Sequence, residues 1–434
     1  MGRKKKIKKI KKVKRRKRAK KEQEKVVIRK SVGQNTLKTN DEKIQIKKIK
    51  KQPTEKKLYN VKDYVVYPKH GVGKIISVEK AKIGEIEITF YKMHIEKEVK
   101  YDFSDVLIKP KRSYYTSRKE VDLERKFKFK WSELTWKGIP VVASNMDTVG
   151  TIDSAKVLSK YNTLTCLHKF HTAEELLKIP NSIKKNVAIT IGIAEGLQIL
   201  YELGERVKLF NFICIDVANG YTEQFSDFIK QVRAEFEKKI IIAGNVCTPE
   251  MTEQLILSGA DIVKVGIGGG SACITRNVAG VGIPQLSAVI DCSDAAHGIG
   301  GMVMSDGGCT CSGDISKAFG ANADFVMLGG LLAGHDENSG TITENKITGE
   351  KTVEFYGMAS SFALDKYYSE NKGKDYKASE GKLVRIPYKG ALEDTLLDLL
   401  GGVRSTCTYI GAKKIKDISK CTTFVCVNNQ LNNV

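Results

Sequence analysis

The chain has 434 residues, with 73 Lys and Arg against 50 Asp and Glu and a formal charge of +23. Residues 1–57 hold 26 Lys and Arg against 5 Asp and Glu, so +21 of that charge sits in a tail and the body is nearly neutral. This distribution argues against a basic nucleic-acid-binding body. The absence of any run of about 18 apolar residues argues against a membrane span, and the opening segment lacks the apolar stretch of a secretory signal.

The tail begins MGRKKKIKKIKKVKRRKRAKKEQEK and has too little apolar content to offset its ordering entropy, so disorder is expected over 1–57. Residues 59–92, YNVKDYVVYPKHGVGKIISVEKAKIGEIEITFYK, alternate apolar and polar residues at period two. They predict a short antiparallel β segment with HGVG as a turn.

From about residue 139 a different rhythm begins. Short β-branched runs occupy 139–146, 162–168, 186–192, 212–220, 239–246, 261–268, 301–308 and 324–330. Between them, stretches such as EELLKI, YTEQFSDFIKQVRAEFEKK, TPEMTEQLILSGA and PQLSAVIDCSDAAHG repeat apolar residues at three- and four-residue steps, as helices packed on a sheet require. Eight buried-type strands alternating with helices predict an α/β fold with a parallel sheet, closed as a (β/α)8 TIM barrel. An open doubly wound sheet is the alternative. In a barrel, function collects at the C-terminal ends of the strands, which here read SNMD, LHK, DVANG, GNV, GIGGGSAC, SDGG and LGG.

The ten cysteines include no C-x-x-C pair, and the one C-x-C, Cys309 and Cys311, has no partner pair at zinc spacing. Most read as buried thiols of a cytoplasmic protein. Cys273 differs, because it follows Gly266, Gly268, Gly269 and Gly270 just past a strand. Ser271 stands where a dinucleotide fingerprint would place its last glycine, so that motif is not present. A glycine loop can turn carbonyls towards a monovalent cation and leave a thiol accessible, which favours a nucleophile over a core cysteine. The glycine pairs after the seventh and eighth strands, Gly307–Gly308 and Gly329–Gly330, suit a phosphate, and Asp306 beside them suits two ribose hydroxyls.

From Met93 on, the sequence resembles the GMP reductases of the IMP dehydrogenase/GMP reductase family. The resemblance is carried by DFSDVLIKPKRS (102–113), SNMDTVG (144–150), LHK (167–169), CIDVANGY (214–221), SGADIVKVGIG (258–268), GVGIPQLSAV (280–289), FVMLGGLLAGH (325–335), FYGM (355–358), ASEGK (378–382) and LGGVRSTCTYIGA (400–412). It implies reductive deamination of GMP to IMP with NADPH, irreversible and releasing ammonia, through a thioimidate on Cys273. Thr275 and Glu380 would manage the protons. It implies GMP contacts from Asp306, Gly307, Gly308, Gly329, Gly330, Gly357, Met358 and Ala359, and from Lys377, Ala378, Ser379 and Gly381.

NADPH contacts would come from Lys169, Asp216, Val217, Ala218, Ile267 and Gly268. A neighbouring subunit of a homotetramer would add Ser117, Arg118, Tyr376, Ser405, Thr406, Cys407 and Thr408. A potassium ion would lie at Gly268, Gly270 and Cys273 with Arg276 nearby. Three positions depart from the family pattern: Gly269 replaces a proline, Ala359 a serine and Lys377 an arginine. An active enzyme is expected, with GMP binding weakened.

IMP dehydrogenase is the alternative enzyme, but the chain between strands two and three leaves no room for the regulatory insertion common there. Residues 59–92 resemble the start of the RNA-polymerase-interacting module of CarD-like regulators. A weak polyanion or RNA-polymerase contact through residues 1–92 is therefore a reading of another class. The expected organisation is a tail (1–57), a partial CarD-like β module (58–92) and a reductase barrel (93–434), two coding pieces joined at Met93.

Overall fold

In a computed structural model, the structure describes residues 60–67, 71–83, 86–95, 99–115, 117–194, 196–367 and 378–427. The basic tail lies outside the described residues. The chain divides into two compact units, Met1–Glu96 and Lys97–Val434.

In the first unit three antiparallel strands, Tyr64–Tyr67, Gly71–Ile83 and Ile86–Ile95, form one sheet. The expected alternation is thus strand structure, although Gly71, Val72 and Gly73 of HGVG open the second strand instead of turning. Tyr67 pairs with Gly71, which pulls these residues into the ladder. Met93 lies inside the third strand, paired with Ile75.

The second unit is the closed eight-stranded parallel barrel. Its strands, in chain order, are Val141–Ala143, Leu164–Cys166, Val187–Ile191, Phe212–Asp216, Ile240–Val246, Ile262–Val265, Met302–Asp306 and Phe325–Leu328. The eighth pairs with the first and closes the ring. Each falls within one of the eight apolar runs. Helices such as Glu223–Glu235, Pro249–Leu257 and Gln285–Gly298 occupy the amphipathic stretches between them.

Alternation along the strands sends Val142, Leu164, Cys166, Ala188, Phe212, Cys214, Ile240, Ile242, Ile262, Met304, Phe325 and Met327 into one interior cluster, while the residues between them face the helices. A hairpin of Arg125–Lys128 and Thr135–Gly138 precedes the barrel, and its Phe127, Phe129 and Trp136 join that interior. Phe127 stacks on Phe325 at 4.4 Å, and Trp136 meets Phe212 edge-on at 6.2 Å. Because Phe212 and Phe325 start their strands, these aromatics plug the N-terminal end and leave the other end for chemistry.

Asp324, 2% exposed, helps fasten this base: it accepts from Arg125 Nη2 at 2.8 Å and from the Val303 N–H at 3.0 Å, and meets His297 Nε2 at 2.7 Å. The hydrogen bond to Asp324 raises the His297 pKa above its usual 6.5, against the opposing effect of burial. A raised folded-state pKa contributes stability fully below pH 6.5 and loses it as pH rises through the raised value. In urea titrations the stability gap between the unsubstituted chain and His297→Gln should therefore shrink as pH is raised from 6 through that value. A gap unchanged with pH would show that the pair does not carry this linkage.

After the eighth strand comes an antiparallel sheet of Ile342–Glu344, Lys351–Tyr356 and Leu383–Pro387, which the strand pattern did not predict. Its first strand is exposed throughout and offers no apolar alternation. The helix Leu392–Ile410 then returns along the barrel. The strand Phe424–Cys426 pairs with Val106–Ile108, tying the two ends of the unit together.

Candidate active site

The sixth barrel strand ends at Val265, and the backbone leaves it through Gly266 at φ 150° and Gly268 at φ 78°. No room exists for side chains here. A Cβ on Gly266 would lie 1.9 Å from the Asp306 carbonyl, and one on Gly268 would lie 2.5 Å from Arg276 Cγ. The Gly308 N–H donates to the Gly269 carbonyl at 2.8 Å, so the loops after strands six and seven interlock through glycines.

At the tip of this loop Cys273 is half-buried, and its N–H donates to the Gly270 carbonyl at 3.0 Å. Its Sγ lies 3.2 Å from Thr275 Oγ1, and Thr275 Oγ1 donates to Glu380 Oε2 at 2.7 Å. The three expected catalytic residues thus form one chain of contacts, although Glu380 is 105 positions from Thr275.

The antiparallel sheet brings Glu380 there. Its second strand ends just before Gly357 and its third begins after Gly381, so both segments emerge facing the cysteine loop. The Ile274 N–H donates to the Glu380 carbonyl at 2.8 Å and the Lys382 N–H to the Ala272 carbonyl at 3.0 Å, a bridge pairing Cys273 with Gly381. Side chains would block this approach: a Cβ on Gly357 would sit 2.8 Å from the Ala272 carbonyl, and one on Gly381 2.8 Å from the Ser360 nitrogen.

The remaining expected nucleotide contacts gather at the same rim. Asp306 ends the seventh strand, followed by Gly307 and Gly308 at φ 98° and 80°. Gly329 and Gly330 follow the eighth, and a Cβ on Gly330 would meet Ser271 Oγ at 2.6 Å. Met358 is half-buried, Ala359 and Ala378 are exposed, and Ser379 Oγ donates to the Gly381 carbonyl at 2.9 Å. Lys377 and Tyr376 lie outside the described residues.

On the cofactor side, Asp216 ends the fourth strand, with Val217 half-buried and Ala218 exposed beyond it. Lys169 is exposed past the second strand; burial pushes the Asp216 carboxyl pKa up, but Lys264 and, more weakly, Lys169 bring it below its ordinary value. Burial and the neighbouring His171 hold His168 down to about 4, so it is neutral at pH 7.

The described residues expected from a neighbouring subunit group together. Ser117 caps the turn Arg118–Glu120, which packs on the helix carrying Ser405–Thr408. These residues lie at the C-terminal end of that helix.

Two of the expected contact residues are constrained by the fold. Cys407 is fully buried, because its face of the helix packs into the core, so its thiol offers no contact to a ligand. Arg276 is committed: its Nη1 donates to Asp102 Oδ2 at 2.7 Å and its Nη2 to the Ile283 carbonyl at 2.9 Å. Its side chain is therefore a fixed positive charge beside Gly268. Of the cysteines, five are buried, while Cys309 and Cys421 are half-buried and Cys311 and Cys426 exposed.

Other site residues escaped the motif reading. Lys264, 1% exposed, pairs with Asp216 and lies 3.9 Å from Asp306 Oδ2. A charge in the middle of the apolar run IVKVGIG was its signal. Asn245 Nδ2 donates to Asp306 Oδ2 and to the Gly266 carbonyl, both at 2.8 Å. Asp147, buried after the first strand, accepts from the Tyr356 hydroxyl, from Tyr367 at 2.6 Å and from Lys366 at 3.0 Å, latching the segment before Glu380 to the rim.

Comparison with known proteins agrees with this architecture. Residues 100–431 match the IMP dehydrogenase / GMP reductase domain, and residues 59–101 match the CarD-like/TRCF RID domain. The second match runs nine residues beyond the 59–92 read from the sequence. The chain is 52% identical over 347 residues to a GMP reductase of Klebsiella pneumoniae, covering 79% of this chain and 99% of the relative. It is 51% identical over 343 residues to human GMP reductase 2, covering 78% and 97%. A GMP reductase of Buchnera aphidicola is 53% identical over 348 residues, covering 78% and 98%. With the barrel, the cysteine loop and these likenesses in agreement, the chain belongs to the IMP dehydrogenase / GMP reductase family.

Proposed function

We propose that the chain reduces GMP to IMP and ammonia with NADPH, as a cytoplasmic enzyme of purine nucleotide interconversion. The observation that carries this reading is the Cys273–Thr275–Glu380 chain of contacts at the C-terminal rim of the barrel. In the proposed reaction the Cys273 sulfur bonds to C2 of the guanine ring, and the 2-amino group leaves as ammonia, taking up protons as it goes. Bound NADPH supplies the hydride for C2, after which the C–S bond breaks and IMP departs. Thr275 stands between sulfur and carboxylate, so it can hand protons between Cys273 and Glu380. The pairing of Cys273 with Gly381 holds that carboxylate beside the sulfur.

Glycines 307, 308, 329 and 330 leave room for a phosphate to approach the backbone, and Asp306 suits the ribose hydroxyls. Asp216, Val217, Ala218 and Lys169 fit the nicotinamide half of NADPH, which has an accessible strand end there. Ser117, Arg118 and the helix residues Ser405, Thr406 and Thr408 form one patch, which suits contacts supplied to a neighbour in a tetramer. A potassium ion would be held by the backbone carbonyls of Gly268, Gly270 and Cys273. The Gly270 carbonyl retains a second lone pair after accepting from Cys273.

For the front of the chain, the CarD-like/TRCF RID match over 59–101 supports a module distinct from the barrel that contacts RNA polymerase. We propose the division into tail, β module and barrel on the same basis.

The test of the enzyme reading is loss of absorbance at the NADPH band on adding GMP to the full chain. Oxidation that depends on GMP is the expected result. NAD reduction with IMP, and none of NADPH with GMP, would assign the sister reaction instead.

A further inference from the structure

A lysine inside a barrel needs a reason, because the interior is close-packed and a charge there is tolerated only when paired. Strand alternation points Lys264 inward, two residues after Ile262, which belongs to the interior cluster. The site is shaped for it: a Cβ on Gly244 of the neighbouring strand would lie 2.6 Å from both Lys264 Cβ and its carbonyl. The Lys264 ammonium reaches residues at the ends of three other strands. It pairs with Asp216 after the fourth, stands 3.9 Å from Asp306 Oδ2 after the seventh, and lies 3.4 Å from Asn145 Oδ1 after the first. The two carboxylates are about a quarter exposed, at 28% and 23%, and open towards the rim, while the ammonium is closed beneath them.

We propose that Lys264 is a positioning residue whose ammonium sets the spacing and charge of Asp216 and Asp306, coupling the cofactor side of the site to the nucleotide side. The inference rests on the GMP and NADPH reading given above. Asp306 faces the ribose in that reading and Asp216 the nicotinamide half, and the Lys264 ammonium stands within reach of both charges. Without it, two carboxylates would share a poorly solvated space and repel one another. Asn245 carries the effect onward, since it joins Asp306 to the Gly266 carbonyl at the start of the cysteine loop. The carboxylates in turn favour the charged amine and raise the Lys264 pKa despite its burial.

The test uses the full chain with Lys264→Ala, Lys264→Met and Asp306→Asn, and the double variant Lys264→Met/Asp306→Asn. Binding of GMP and of NADPH is measured by calorimetry, and turnover by NADPH oxidation. Lys264→Ala should weaken both ligands and lower kcat/KM by roughly 100-fold, the scale of an unpaired buried charge. Methylammonium chloride, set against sodium chloride at equal strength, should restore at least about tenfold of that loss by refilling the cavity with a cation.

Lys264→Met fills the volume without the charge, so it serves if the alanine variant does not fold. Its effect on GMP binding should be far from additive with that of Asp306→Asn, because the two act through one pair. Additive effects, or unchanged affinity for either ligand in Lys264→Met, would overturn the proposal and leave Lys264 a packing residue. If the unsubstituted chain binds neither GMP nor NADPH, the reading of the site itself fails, and the inference falls with it.

Discussion

Cys273→Ala should abolish GMP-dependent NADPH oxidation, with a loss of about 10⁴-fold or more in kcat, the scale seen when a nucleophile is removed. The fold should survive, because the side chain is half-buried at the tip of a loop and belongs to neither core cluster. GMP should still bind, since the phosphate and ribose groups of the site do not depend on the sulfur. Steady-state turnover with calorimetric GMP binding separates these effects. Activity within tenfold of the unsubstituted chain would remove Cys273 from the chemistry. Mapping alkylation by mass spectrometry gives a second reading, in which GMP should protect Cys273 and leave the exposed Cys311 and Cys426 equally reactive.

Glu380→Gln should lower kcat by about 10²- to 10³-fold with KM for GMP little changed, in the range of general acid–base catalysis. The glutamine oxygen can still accept from Thr275, so the 2.7 Å contact and the backbone pairing of Ile274 with Glu380 are kept. What is lost is the capacity to take up and release a proton. Thr275→Val should give a loss of similar size, and the double variant should be no worse than the poorer single one, because both act in one relay. Independent, multiplying losses would mean that the two residues do separate work. A Glu380→Gln enzyme as fast as the unsubstituted chain would place proton handling elsewhere.

Both predictions concern residues legible before any coordinates, but for different reasons. Cys273 stood out from its own neighbourhood, a thiol in a glycine loop past a strand. Glu380 did not: ASEGK is an ordinary exposed-type stretch, and only resemblance to the family singled it out. Its approach to Thr275 depends on the sheet of Ile342–Glu344, Lys351–Tyr356 and Leu383–Pro387. The first of those strands carries no amphipathic alternation, because both its faces are exposed, so periodicity could not reveal it.

The sequence by itself determined the eight strands, the helices between them, the end of the barrel where polar loops collect, and the cysteine. Hydrophobic periodicity and glycine placement are local properties, and a barrel of consecutive βα units is built from local order. Only the tertiary structure decided which charges meet. Lys264, Asp216 and Asp306 lie on three strands, and Asp102 reaches Arg276 across 174 positions. Ring closure and inward rotation of the strands bring such groups together. The same closure makes Cys407 a core residue and commits Arg276 to a carboxylate, because burial and pairing belong to the assembled barrel and to no single segment of it.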